Sequence, residues 1–154
     1  MKIKAIRTNL EKIPLTKPYT ISYQTFSDTE IVYLEIELEN GIIGLGAANP
    51  FVEVVGETPL STLLHLQSDF VQQLIGRDIN DFSIIIEEVI SHFKGFPGTQ
   101  AAIDIALHDA FGKFTGISVL DIYKRTTGPL PTSITIGIKA VSYTHLTLPT
   151  SDLV

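Results

Sequence analysis

The 154-residue chain contains no cysteine, which removes disulfides, thiolate nucleophiles and thiolate metal ligands together. Basic residues are scarce: 11 Lys and Arg stand against 17 Asp and Glu, a net charge of −6. They form no cluster, so a polyanion would find nothing to hold it and a nucleic-acid partner is not expected. No apolar run approaches the roughly 20 residues that cross a bilayer, and the opening Met1-Lys-Ile-Lys-Ala-Ile-Arg7 is too polar for a secretory signal. A cytoplasmic protein without a membrane partner is the default expectation. No Ser-His-Asp constellation, phosphate loop or paired acid and base emerges either.

What is present is the composition of one ordinary globular domain with a real core, 44% hydrophobic and 18% charged. The clearest periodic stretch is Gln100–Gly116, where Ile103, Ala106, Leu107, Ala110, Phe111 and Phe114 recur at intervals of three and four on one helical face. Pro97 and Gly98 suit its first turn and Gly116 its left-handed stop. Ala102, Ala106 and Ala110, spaced by four, leave room for another backbone to approach.

Ahead of this helix the period changes to two. Lys2–Pro14 reads as a strand, and Leu15–Phe26, rich in Thr and Tyr with Pro18 inside it, as a loop or an interrupted edge strand. Glu30–Glu39 alternates cleanly, with Val32, Leu34, Ile36 and Leu38 on one side. Asn40-Gly41 then predicts a two-residue type I′ hairpin into Ile42–Ala48. Gly44 and Gly46 fit close backbone packing better than a nucleotide loop, because neither a third glycine in register nor a helix start follows. Asn49–Glu57 is a turn-rich connection, apolar enough that something should cover it. Thr58 and Pro59 open a helix with Leu60, Leu63, Leu64, Leu66, Phe70, Val71 and Leu74 on its inner face. Asn80 or Asp81 caps another, carrying Phe82, Ile85, Ile86, Val89, Ile90 and Phe93. Val119–Tyr123 makes a short helical turn, Thr127–Pro131 a linker, and Thr132–Ile138 a further strand. Strands followed by helices predict an α+β domain: a three-stranded antiparallel meander, then a three-helix layer.

Few residues suggest chemistry. His65 and His92 stand singly, and His108, four after Asp104, lacks further ligands and reads as a structural imidazole. Glu87-Glu88 and the acidic side of the Glu35 strand read as solvated surface.

The run Ala101-Ala-Ile-Asp-Ile-Ala-Leu-His-Asp-Ala-Phe-Gly-Lys113, with Gly116, resembles the helix signature near the end of the N-terminal capping domain in the mandelate racemase and muconate lactonizing enzyme family of the enolase superfamily. Ile13-Pro-Leu-Thr-Lys-Pro-Tyr19, Asn49-Pro50 and Val55-Gly-Glu-Thr58 most resemble its dipeptide epimerases. The likeness runs from Lys2 to about Ile138, departing at Asp121-Ile-Tyr-Lys-Arg-Thr-Thr-Gly128, where the family usually has Leu-Leu-Gly-Gly. It implies a capping domain over 1–128, then a linker and the first strand of a truncated (β/α) barrel over 129–140. Two loops over the barrel mouth would set specificity, one with Tyr19, Ile21, Tyr23 and Gln24, the other with Phe51, Val52, Val54 and Val55. Thr135, on the first barrel strand, is a candidate substrate contact.

The resemblance also implies proton abstraction beside a carboxylate or amide carbonyl by barrel lysines, with Mg²⁺ on three acidic residues. All of those groups lie on later strands, so the chain alone should hold no catalytic residue, bind no metal and be inactive. The full-length enzyme would be homo-oligomeric and act on a dipeptide or related carboxylate. The alternatives are a muconate cycloisomerase-like or o-succinylbenzoate synthase-like fragment, and a free-standing noncatalytic α+β binding module. In Ala-Glu epimerases an arginine stands where this chain has Gln24. With Phe51, Val52, Val54 and Val55 opposite, the resemblance predicts an apolar or neutral residue over glutamate.

From Val141 the logic of elements stops. Val141–Thr150 written back as GTC TCT TAT ACA CAT CTG ACG CTG CCG ACG is the read-through of a transposon-type sequencing adapter. Residues 141–154 are therefore expected to be an artefact that packs poorly, with the natural frame cut near Lys139. Ser133–Ile138 would then be an orphaned strand.

Overall fold

A computed structural model describes residues 1–20 and 24–132. Three antiparallel strands, β1 (Ile3–Thr20), β2 (Thr25–Leu38) and β3 (Ile43–Ala48), form a sheet in sequence order. The alternation in β2 sets its register: Val32, Leu34, Ile36 and Leu38 are fully buried against the helices, while Glu35 and Glu37 face outward and pair with Lys4 and Arg7. Those partners hold the Glu37 carboxyl below its usual range, Lys4 foremost.

The hairpin differs from the type I′ expectation. Of Asn40 and Gly41 only Gly41 has positive φ, +85°. Gly41 N–H donates to Leu38 O at 2.9 Å and Leu38 N–H to Ile42 O at 2.8 Å, so the loop has three residues and Gly41 supplies its left-handed corner. In the described parts of the Leu15–Phe26 stretch, up to Thr20 and from Thr25, the interrupted edge strand is what forms. Pairing lapses after Pro14↔Asp28, where prolines remove donors, and resumes at Tyr19↔Phe26 and Thr20↔Thr25.

The described residues form six helices, α1 (Val52–Val55), α2 (Pro59–Leu66), α3 (Asp69–Gln72), α4 (Phe82–His92), α5 (Pro97–Thr115) and α6 (Val119–Ile122), of which α2 and α5 lie against the sheet. Thr58 caps α2 through a reciprocal box with Ser61. The single helix expected over Leu60–Leu74 is broken at Gln67-Ser68, because Ser68 is extended (φ −65°, ψ 157°). Only part of its apolar set faces inward: Leu66, Val71 and Leu74 are buried, whereas Leu60 and Leu64 are each 59% exposed. Ile90 is likewise exposed on α4. The expected cap of α4 moves upstream, since Asp78 accepts from Asn80 N–H and closes a 3₁₀ turn while the Asp81 side chain caps nothing. That bond, with the Met1 ammonium 3.0 Å away, lowers the Asp78 carboxyl from its ordinary value.

Helix α5 crosses β3 as its alanines suggest. Ala102, Ala106 and Ala110 are fully buried and lie directly on Gly44 and Gly46. Its outer side closes the open edge of β3. Leu45 N–H donates to Asp109 Oδ2 at 2.8 Å, and Lys113 Nζ donates to Ile43 O at 2.8 Å and to Asp109 at 2.6 Å. A side-chain pair one turn apart thus takes the place of a fourth strand. Replacing both Asp109 and Lys113 by alanine should cost about 2 kcal/mol and free the edge for pairing. Sedimentation velocity should then give a larger apparent mass than the parent at equal concentration; an unchanged mass would show that the pair does not guard the edge. Among the described residues no helix is long and apolar enough to cross a membrane.

Candidate functional site

The buried face of the sheet changes character toward one end. Leu10 pairs with the fully buried Val32, but the next partners on that face are Lys12↔Glu30 and Pro14↔Asp28, with Glu30 and Asp28 only half-buried. The same parity that builds the core therefore delivers two carboxylates at its rim. The segment after β3 folds against this rim. Asn49 Nδ2 donates to Thr29 Oγ1 at 2.7 Å and to Glu30 O at 2.8 Å. Phe51 meets Phe26 edge-on with ring centroids 5.4 Å apart.

Between the two segments lies a concavity of about 1090 Å³, with Tyr19, Gln24, Phe26, Asp28 and Glu30 on the strand side and Phe51, Val52 and Glu53 on the other. Of the residues singled out in the sequence, Tyr19, Gln24, Phe51 and Val52 meet here. Val54 and Val55 do not. Residues 52–55 wind into α1, which leaves Val54 75% exposed and outside the concavity, and Val52 is itself 48% exposed, so the described residues cover this apolar turn only in part. Ile21, Tyr23 and Thr135 lie outside the described residues, as do the expected barrel strand beyond Thr132 and the 141–154 tail.

Sequence reasoning missed the charge of the wall. Asp28, Glu30 and Glu53 line the concavity with one ammonium among the described residues, Lys17. Glu30 and Glu53 form no ion pair among the described residues, and Asp28 is offset only by Lys12, 3.3 Å away. The signal was available: Asp28 and Glu30 share the parity of Val32, Leu34 and Ile36, and acids continuing a buried face mark where its cover ends.

A second missed residue is Glu57, only 1% exposed. Its carboxylate accepts from Gly98 N–H at 2.5 Å, Thr99 Oγ1–H at 2.7 Å and Thr62 Oγ1–H at 3.1 Å. The Phe96 cap position of α5 has no side chain to satisfy the first turn, so Glu57 supplies that cap from the end of the connecting segment. One wall of the concavity is thereby fastened to the core helix.

His65 and His108 are held within the framework of the fold. His108 lies between the Asp104 carbonyl, at 3.0 Å, and the Tyr123 hydroxyl, and His65 faces Thr99 Oγ1 at 3.1 Å. Among the described residues no three His, Asp or Glu side chains gather closely enough to hold a metal ion, so the residues present do not fit a Mg²⁺ site. The concavity can bind, orient and exclude water.

Residues 3–123 match the family described as mandelate racemase / muconate lactonizing enzyme, N-terminal domain. The L-Lys-D/L-Arg epimerase of Desulforapulum autotrophicum is 42% identical over 94% of this chain and 41% of its own length. The hydrophobic dipeptide epimerase of Enterococcus faecalis is 34% identical over 90% of the chain and 39% of its own. Among solved structures, a dipeptide epimerase from Methylococcus capsulatus complexed with Mg and the dipeptide L-Arg-D-Lys superimposes with a TM-score of 0.83 at 37% identity, covering 90% of this chain and 39% of that one. The chain thus spans about two fifths of the length of these relatives. With the meander, the helical layer and the Ala101–Lys113 signature in place, the chain belongs to the mandelate racemase / muconate lactonizing enzyme family and comprises its N-terminal domain.

Proposed function

We propose that this chain caps the barrel of a dipeptide epimerase whose substrates carry a cationic side chain. The observation that carries this reading is the wall of Asp28, Glu30 and Glu53 around a concavity with a single lining ammonium among the described residues. Like charges brought together in a partly desolvated cleft cost several kcal/mol, and opposite charges gain in selectivity. Glutamate would therefore be rejected, as the Gln24 loop already implies, and a lysine or arginine side chain favoured over the apolar one that Phe51 and Val52 alone would suggest. The relatives named for Lys and Arg dipeptides support the same choice.

In this reading residues 1–128 are the cap and 129–140 lead into the barrel, where the proton-transferring groups and Mg²⁺ would reside. The cap's own work is to seat the substrate side chain, fix the orientation of the reacting α-carbon and keep water out. The test is kcat/KM of the full-length enzyme on L-Lys-L-Arg, L-Ala-L-Leu and L-Ala-L-Glu. The cationic dipeptide should exceed the leucine one by about tenfold, equivalent to about 1.4 kcal/mol, and the glutamate one by more, while the 154-residue chain alone should epimerise none. If L-Ala-L-Leu is the better substrate, Phe51 and Val52 dominate and the acids are a solvated rim.

A further inference from the structure

Lys12 stands opposite Glu30 in the β1–β2 ladder, and its ammonium lies 3.3 Å from Asp28 Oδ2. Cross-strand partners share a face, and Asp28, two residues from Glu30, shares it too. Lys12 therefore reaches the concavity's carboxylates from the adjoining strand without lining the concavity itself. Its side chain is 63% exposed, so charge rather than packing holds it there, and such an ion pair is weak enough to exchange. Lysine is also the chemical kind of group that the proposed substrate presents.

Resting on the cationic-substrate reading, we infer that Lys12 is a specificity-determining residue that acts as a resident counter-ion. It occupies Asp28 while the site is empty and is displaced by the substrate's ammonium or guanidinium. Substrate binding then exchanges one ion pair for another instead of creating one outright, which moderates affinity and speeds release. A neutral dipeptide cannot make the exchange and leaves Lys12 on Asp28. Lys17, which lines the concavity but is paired with no acid among the described residues, contributes charge without this competition.

The experiment is steady-state kinetics of the full-length enzyme, wild type against Lys12→Met and Lys12→Arg, each with aspartate and with asparagine at position 28. Lys12→Met should lower KM for L-Lys-L-Arg by about twofold to fivefold, the size of one exposed ion pair. It should change kcat less than about twofold and leave L-Ala-L-Leu unaffected, while Lys12→Arg should behave as wild type. In the Asp28→Asn background the effect of Lys12→Met should vanish, because the competition it relieves is gone. An unchanged KM, an equal fall for L-Ala-L-Leu, or an effect that survives Asp28→Asn would each overturn the inference. A wild type with no preference for the cationic dipeptide would instead sink the reading on which it rests; a clear preference beside a silent Lys12→Met would sink the counter-ion alone.

Discussion

Glu57→Ala is expected to destabilise the domain by about 3 kcal/mol, the scale of removing one partner from a buried charged cluster, and to lower its melting midpoint by roughly 10 °C. The carboxylate is 1% exposed and accepts from two backbone or side-chain groups of the first turn of α5 and from Thr62 on α2. Alanine leaves the Gly98 N–H and two threonine hydroxyls facing a void, and α5 has no other side-chain cap. Glutamine, which keeps one acceptor and the volume, should lose roughly half as much. Thermal unfolding of the two variants checks both the size and the order. An alanine variant melting within about 2 °C of the parent, a loss of under 1 kcal/mol by the same scaling, would show that water replaces the carboxylate and that the cap is dispensable. The loss should also reach the concavity, since Glu57 ends the segment that carries Phe51, Val52 and Glu53.

The sheet and its register were legible because β2 alternates without a fault from Glu30 to Leu38, and the seat of α5 because three alanines at spacing four have no use except close approach. Where the pattern was ambiguous the reading erred. Leu60 and Leu64 fit the same helical stripe as Leu63 and Leu66, and only the extended Ser68, which propensity alone does not reveal, decides which leucines turn inward. The hairpin misled because Asn-Gly serves two loop lengths, and which forms depends on where the flanking strands stop pairing. In the site, the two walls were found from the loops' likeness to a family, but their charge was not. Asp28 lay between Leu15–Phe26 and the strand read from Glu30 and was assigned to neither, and Glu30 was counted as the start of a strand instead of the edge of a pocket. Glu57 escaped altogether, because a cap supplied from 41 residues away leaves no local trace in the sequence.

Gly46→Ala should be worse than neutral by about 3 kcal/mol, against the usual sign for a glycine in a strand. Ordinarily alanine there gains about 0.5–1 kcal/mol by narrowing the unfolded ensemble. Here Gly46 sits opposite Leu34 on the buried face, and a Cβ on it would run into the Ala102 carbonyl of α5 and stand 3.0 Å from the Ala106 Cβ. Backbone cannot rotate aside as a side chain can, so α5 must lift from β3 and loosen Ile103, Leu107 and the three alanines, all fully buried. Overpacking of this kind costs about 1–3 kcal/mol or more and outweighs the entropic gain. Gly44, with the Ala106 carbonyl and the Ala110 Cβ at 2.6 Å in the same relation, should respond alike, and Gly46→Val should prevent folding. Gly128→Ala, where a Cβ meets nothing within 4 Å, serves as the control and should stay within about 0.5 kcal/mol of the parent. Urea denaturation gives the comparison directly. If Gly46→Ala unfolds at the same or a higher midpoint than the parent, α5 does not rest on β3 through its backbone, and the alanine strip needs another explanation.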